Sequence, residues 1–245
     1  MSEISKRILT GSFLLVLLAL SFFNVFILII SLICLLIIGW VEFNGLISKI
    51  FIKKNFKSQF FKFISKISSL LYLFLFSVFI FEALSRTDVN YKFTIIYLFS
   101  ICICSDIGGF IFGKIFKGKK LTKISPNKTI SGSIGSFLFS LFPPGIFLIL
   151  YEITKIDYFK LSSTAYFENI IIIICLLLSF VCQIGDLVIS YFKRMAKVKD
   201  TGKILPGHGG ILDRIEGIIF AIPAIYYLNT YLIPKFYGGG IIWWF

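Results

Sequence analysis

Val25-Phe-Ile-Leu-Ile-Ile-Ser-Leu-Ile-Cys-Leu-Leu-Ile-Ile-Gly-Trp40 carries no charged side chain, and the apolar sequence continues back to Leu9, interrupted only around Ser21 and Asn24. A membrane-crossing helix takes about 20 residues. Leu9–Ile38 is too long for one such helix and reads as a hairpin of two, Ile8–Asn24 and Val25–Trp40. Working outward, further apolar windows lie at Ile67–Leu84, Phe93–Phe112, Ile130–Leu150, Ile170–Ile189 and Gly217–Leu232. The pattern predicts an all-α, polytopic integral membrane protein with about seven transmembrane helices.

Composition agrees. Of the 245 residues, 58% are hydrophobic and 15% charged, with a mean hydropathy of +0.94 and a formal charge of +13. A soluble domain is about 45–50% apolar and about 25% charged, so too little polar surface is left here to cover a globule in water. A chain this apolar also buries too readily to be disordered. The length suits a single membrane domain, 1–245, in which 1–90 supplies N-terminal helices with a basic amphipathic loop and 91–245 carries the polar motifs. Lys6-Arg7, an apolar stretch and Ala19-x-Ser21 also fit a cleavable signal peptide, but hydrophobicity continues past that point for another span, which favours retention. The five cysteines sit in apolar runs and read as small hydrophobes; Cys102-x-Cys104 beside Asp106 is better explained by helix packing than by metal ligation.

Charge sets the expected orientation. Of 25 basic residues, 20 fall on alternate loops: Lys6 and Arg7, then six each within 49–66, 114–128 and 193–214. The positive-inside rule therefore predicts a cytoplasmic N-terminus, a cytoplasmic site and an external tail at Gly238–Phe245. The first basic loop, with Phe51, Phe56, Phe60, Phe61 and Phe63 among its lysines, suits anionic headgroups, although anchoring of topology accounts for the lysines equally well.

Two constellations place costly groups in or beside membrane spans. In the first, Asp186 ends the sixth apolar window, where an unpaired carboxylate is expensive; Ser190, Lys193 and Arg194 follow at helical spacings on one face. Asp213 and Glu216 share a face in the same way. Oxygen donors of this kind suit Mg²⁺, and Asp186 and Asp213, from different helices, could serve one cation cluster. The simpler alternative is an ion pair that only fixes packing. Between these acids, Pro206-Gly-His208-Gly209-Gly210 lets the backbone turn sharply and approach a ligand, and His208 could donate to a phosphate or bond locally. The second constellation joins Asp106, Gly109 and Gly113, the glycines spaced for close helix contact, to Lys119, Lys120, Ser125, Lys128 and Thr129, which can collect phosphate oxygens. A purely topological role is the competing explanation for these lysines.

The run Ser190-x-x-Lys193-Arg194-x4-Lys199-Asp200-x-Gly202-x3-Pro206-Gly-His208-Gly-Gly-x-x-Asp213-Arg214-x-Glu216 resembles the defining motif of phosphatidate cytidylyltransferases, or CDP-diacylglycerol synthases. Asp106 and the Lys123–Thr129 stretch resemble a second region of that family. Glu216 stands where the family usually has Asp, and Asn127 and Ser131 depart from its pattern.

The resemblance implies a nucleotidyltransferase that converts CTP and phosphatidate to CDP-diacylglycerol and pyrophosphate by metal-assisted in-line attack. It implies Mg²⁺ as cofactor, with a second metal or a monovalent cation admissible, held by Asp186, Asp213 and Glu216. Lys193, Arg194, Lys199, Asp200 and Arg214 would be catalytic. Ser190, His208, Gly209, Asp106, Lys119, Lys120, Ser125, Lys128 and Thr129 would bind substrate. The implied partners are CTP, phosphatidate and membrane lipid, with a homodimer admissible and no nucleic acid. The implied location is the inner (cytoplasmic) membrane, with the site facing the cytoplasm. Competing readings are another CTP-using membrane transferase such as a polyprenol kinase, a transporter whose acids form an ion path, and a non-catalytic lipid-binding scaffold.

Overall fold

A computed structural model describes residues 3–53, 55–85, 89–122, 124–154 and 165–227. These residues form nine helices and no strands: α1 Glu3–Phe23, α2 Val25–Ile50, α3 Phe56–Ser85, α4 Val89–Phe116, α5 Ile130–Phe139, α6 Phe142–Thr154, α7 Ala165–Met195, α8 Leu212–Ile215 and α9 Ile218–Tyr227. Six segments among the described residues are long and apolar enough to cross a membrane: Ser5–Phe23, Val25–Ile50, Phe56–Ser85, Phe99–Phe116, Ile130–Thr154 and Ile171–Met195. This is the architecture of a polytopic membrane protein. The expected seventh span, Gly217–Leu232, is helical as α9 with Pro223 inside it, and its last residues lie outside the described set, as do Lys155, Lys160 and the Gly238–Phe245 tail.

The N-terminal hairpin forms where expected. Asn24 separates α1 from α2 and caps α2, its Oδ1 accepting from the amides of Phe26 at 2.9 Å and Ile27 at 3.4 Å. Other boundaries move. α2 continues ten residues past Trp40, and α3 takes in the phenylalanine-rich basic stretch from Phe56 as its first turns. The expected span Ile130–Leu150 is split at Ser140-Leu141. Pro143 and Pro144 have no amide to donate, and a proline pair is tolerated only in the first turn of a new helix. α7 has 31 residues, about 46 Å at 1.5 Å per residue, which exceeds the roughly 30 Å hydrocarbon core.

Two compact units divide the chain: Met1–Ser85 with Val188–Ile219, and Arg86–Leu187 with Phe220–Phe245. In the first, α2 packs against α1, α3 and α8, so the second half of the motif folds with the N-terminal helices. Leu28, Leu46, Ile47 and Phe76 form its deepest core, at 2% exposure or less. In the second, α4 and α5 meet through small residues. A methyl group at Gly108 would stand 2.4 Å from the Gly135 carbonyl, and one at Gly109 would stand 2.5 Å from Ser136 Oγ. Gly113 likewise faces Gly132, as the spacing of 109 and 113 predicts. Ser105 and Ser179 share a buried hydrogen bond of 2.8 Å, and the Cys102 and Cys182 thiols are in contact.

Candidate active site

In the first unit, the chain leaving α7 is closed by a Schellman arrangement: the Val198 amide bonds the Lys193 carbonyl and the Lys197 amide bonds the Arg194 carbonyl, both at 3.0 Å. Lys197 takes the left-handed position, φ +55°, that usually falls to glycine. Leu205-Pro206-Gly207-His208 then turns back, with His208 N donating to Leu205 O at 2.9 Å and Gly207 at φ +76°. Proline followed by a positive-φ glycine is the type II combination. Gly209, at φ +86°, returns the chain beside Leu205.

Around that turn lies a cavity of about 580 Å³ lined by Arg7, Lys199, Asp200, Gly202, Lys203, Leu205, Pro206, Gly207, His208, Gly209 and Arg214. Its ionised lining has four cations and one carboxylate. Arg7 Nε donates to Gly207 O at 3.0 Å and Arg214 Nη2 to His208 O at 3.1 Å; each guanidinium thereby braces the turn with one donor and keeps others for a ligand. Thr10, buried on α1, contacts His208 Nδ1. Burial and the neighbouring Arg214 and Arg7 cations hold the His208 imidazole below its ordinary range, outweighing a backbone hydrogen bond to Pro206, so near pH 7 it is a neutral hydrogen-bonding group.

Beneath the turn lies an acidic cluster. Lys193 Nζ is 2.8 Å from Asp213 Oδ1 and 3.1 Å from Glu216 Oε2. The other Asp213 oxygen, Oδ2, accepts from Thr201 N at 2.8 Å, Thr201 Oγ1 at 3.0 Å and Gly210 N at 3.0 Å. Burial raises the Asp213 carboxyl, but Lys193 and these two amides outweigh it and hold it below the usual range. Arg194 is exposed and Ser190 half-buried on α7.

The remaining expected site residues belong to the second unit. Lys128 Nζ bonds Asp186 Oδ2 at 2.7 Å. Thr129 caps α5, accepting from Gly132 N at 3.0 Å. Lys120 pairs through its backbone with Thr129, while Asp106, Lys119 and Lys120 expose their side chains and Ser125 is half-buried. Asp186 and Asp213 are thus each engaged by a lysine of their own unit.

The donor chemistry fits a magnesium ion in one respect. Asp213 Oδ1 and Glu216 Oε2 already converge on one cationic group, and Mg²⁺ is commonly held by one or two carboxylates with water and phosphate completing its shell. Asp213 Oδ2 is saturated. Among the described residues, no group of three or more His, Cys, Asp or Glu side chains is gathered for a metal.

Sequence reasoning missed Arg7 and Thr10 of α1, Glu42 of α2, and Thr201 and Lys203 of the loop. Glu42 had a signal available, being the only acidic residue between Glu3 and Glu82 and lying just past an apolar run.

The fold is that of a polytopic helical membrane protein, and its first unit carries a cationic cavity together with paired carboxylates. The chain matches the Cytidylyltransferase family over residues 2–232 and belongs to it. It is similar to proteins named phosphatidate cytidylyltransferase: 41% identical over 140 residues to one from Staphylococcus haemolyticus, covering 57% of this chain and 48% of the relative. The similarity to one from Rickettsia typhi is 40% over 149 residues, covering 60% and 62%, and to one from Staphylococcus aureus 42% over 142 residues, covering 58% and 49%. The chain thus spans about half the length of the staphylococcal relatives.

Proposed function

We propose that this chain transfers a cytidylyl group from CTP to phosphatidate, giving CDP-diacylglycerol and pyrophosphate, at the inner leaflet of a cell membrane. The observation that carries the reading is the cavity whose Arg7, Lys199, Lys203 and Arg214 face a single carboxylate, Asp200. Such a lining favours a polyanion, and the named relatives supply the substrate class.

In this reaction a phosphatidate oxygen forms a bond to the α-phosphorus of CTP while the bond from that phosphorus to the α–β bridging oxygen breaks, and pyrophosphate leaves with its electron pair. A phosphate monoester has a second pKa near 6, so the nucleophile is already largely dianionic at neutral pH and needs no general base. The obstacle is repulsion between like charges, and fixed cations aimed at the phosphates reduce it. Arg7 and Arg214, braced on the turn, offer planar donor forks to phosphate; Lys199 and Lys203 add point charges, and neutral His208 a hydrogen bond. Asp213 and Glu216 are the residues of the first unit that would hold magnesium, which when bound would neutralise phosphate charge. Lys128, Lys119, Lys120, Ser125 and Thr129 would attract the lipid phosphate within their own unit. The basic loops support a cytoplasmic site.

Purified protein incubated with magnesium, labelled CTP and phosphatidate tests this directly. Label in a CDP-lipid with equimolar pyrophosphate is expected. CDP release with a phosphorylated alcohol would instead establish a lipid kinase, and ion flux without nucleotide dependence a transporter.

A further inference from the structure

Three consecutive amides, Gly210, Ile211 and Leu212, are shared between two carboxylates. The first goes to Asp213 Oδ2, while Ile211 N donates to Glu42 Oε1 and Leu212 N to Glu42 Oε2, each at 3.0 Å. Glu42 projects from α2, 4% exposed, and Thr201 Oγ1 lies 2.9 Å from its Oε2. The same hydroxyl is 3.0 Å from Asp213 Oδ2. It has one proton for two acceptors, so it couples the acids directly.

The loop is also shaped to this side chain. A methyl group at Gly202 would stand 2.5 Å from Glu42 Oε1, and one at Gly210 would stand 2.4 Å from Oε2. Neither position has room for a side chain while Glu42 is in place. One turn earlier on α2, Gly39 faces Leu212 at 3.5 Å, measured from where its Cβ would be.

We propose that Glu42 is a positioning residue for cytidylyl transfer: acting through Thr201 and the Gly210–Leu212 amides, it fixes the loop so that Asp213 turns Oδ2 inward and holds Oδ1 on Lys193. Glu42 itself touches no substrate. The inference rests on the cytidylyltransferase reading above. Its physical basis is that amides deprived of a buried acceptor seek another, and the adjoining Gly210 amide is already bonded to Asp213 Oδ2. Glutamine at 42 would point an NH₂ group at an amide that needs an acceptor, which disturbs the loop without changing side-chain volume.

The test is steady-state kinetics of the full-length chain in detergent with CTP, phosphatidate and magnesium, comparing wild type with Glu42→Gln, Thr201→Val, Thr201→Ser and the double variant Glu42→Gln/Thr201→Val. Glu42→Gln and Thr201→Val should each lower kcat at least 10-fold while KM for CTP stays within threefold, and Thr201→Ser should retain wild-type kcat. Because both substitutions break one connection, the double variant should be no slower than the slower single variant. Retention of kcat within twofold by Glu42→Gln, a change confined to KM, or losses that multiply in the double variant would each overturn the proposal. If Glu42→Gln does not fold, the Thr201 pair decides: wild-type kcat in Thr201→Val overturns it, and loss in valine but not serine supports it. Absence of CDP-lipid from the wild type would reject the cytidylyltransferase reading and the proposal together; an active wild type with an indifferent Glu42 rejects the proposal alone.

Discussion

Replacing Lys193 with methionine keeps most of the side-chain stem and deletes the ammonium shared by Asp213 and Glu216. Lys193 and Asp213 have side chains 12% and 5% exposed, and Glu216 is 25% exposed. The Asp213 contact, at 2.8 Å, is a charge-assisted hydrogen bond in a sheltered position, of a kind that contributes about 1.5–3 kcal/mol. Glu216 can rehydrate, so its share falls near the roughly 0–1 kcal/mol of an exposed pair. Asp213 Oδ2 keeps its three donors. The expected cost is about 3 kcal/mol, and adding Glu216→Gln should restore part of it by removing one of the two carboxylates that lose the shared ammonium.

The assay is equilibrium unfolding in mixed micelles across a pH series. The Asp213 carboxyl is held below its ordinary value, so it stabilises the fold above the unfolded carboxylate pKa of about 3.9 and that stability is lost as pH falls toward the folded value. Without Lys193 the Asp213 carboxyl is held down less, so the acid loss should be smaller and complete at higher pH. A variant within 0.5 kcal/mol of wild type (about the scatter of an ordinary surface substitution), with an unshifted acid limb, would refute the reasoning.

Three further outcomes follow from the geometry. Arg7→Gln should weaken binding of inorganic pyrophosphate about 10-fold, read by calorimetry, since it removes one charged fork from the cavity. Lys197→Gly should raise unfolding stability by up to about 1 kcal/mol by relieving a left-handed non-glycine residue, measured in the same micelles. Gly108→Val should cost about 1–3 kcal/mol or more by forcing α4 and α5 apart, visible as a lowered unfolding midpoint.

Much of the fold was legible because its causes are local. Asn24 offers a side-chain acceptor just where an overlong apolar run needs a break, Gly109 and Gly113 mark a close helix contact, and Pro206-Gly207 sets a turn of one type. The split at Ser140-Leu141 was available in Pro143-Pro144 but was masked by unbroken hydropathy. The motif predicted which residues matter, but not how they pair. Lys193, expected among the catalytic residues, is held by acids 20 and 23 positions away. Glu42 lies 159 residues from Thr201, and Arg7 lies 200 from Gly207. Neither contact has a periodicity to betray it; each exists only once the helices of the first unit have packed.

The proposed activity is transfer of a cytidylyl group onto a lipid phosphate in an acid-supported cationic pocket. Its most direct test is to follow labelled CTP into lipid in the presence of phosphatidate and magnesium, using wild type and Asp213→Asn side by side. CDP-diacylglycerol and pyrophosphate in equal amounts from the first, and essentially none from the second, is the predicted result. Equal turnover by both, or no labelled lipid from the wild type, would contradict it.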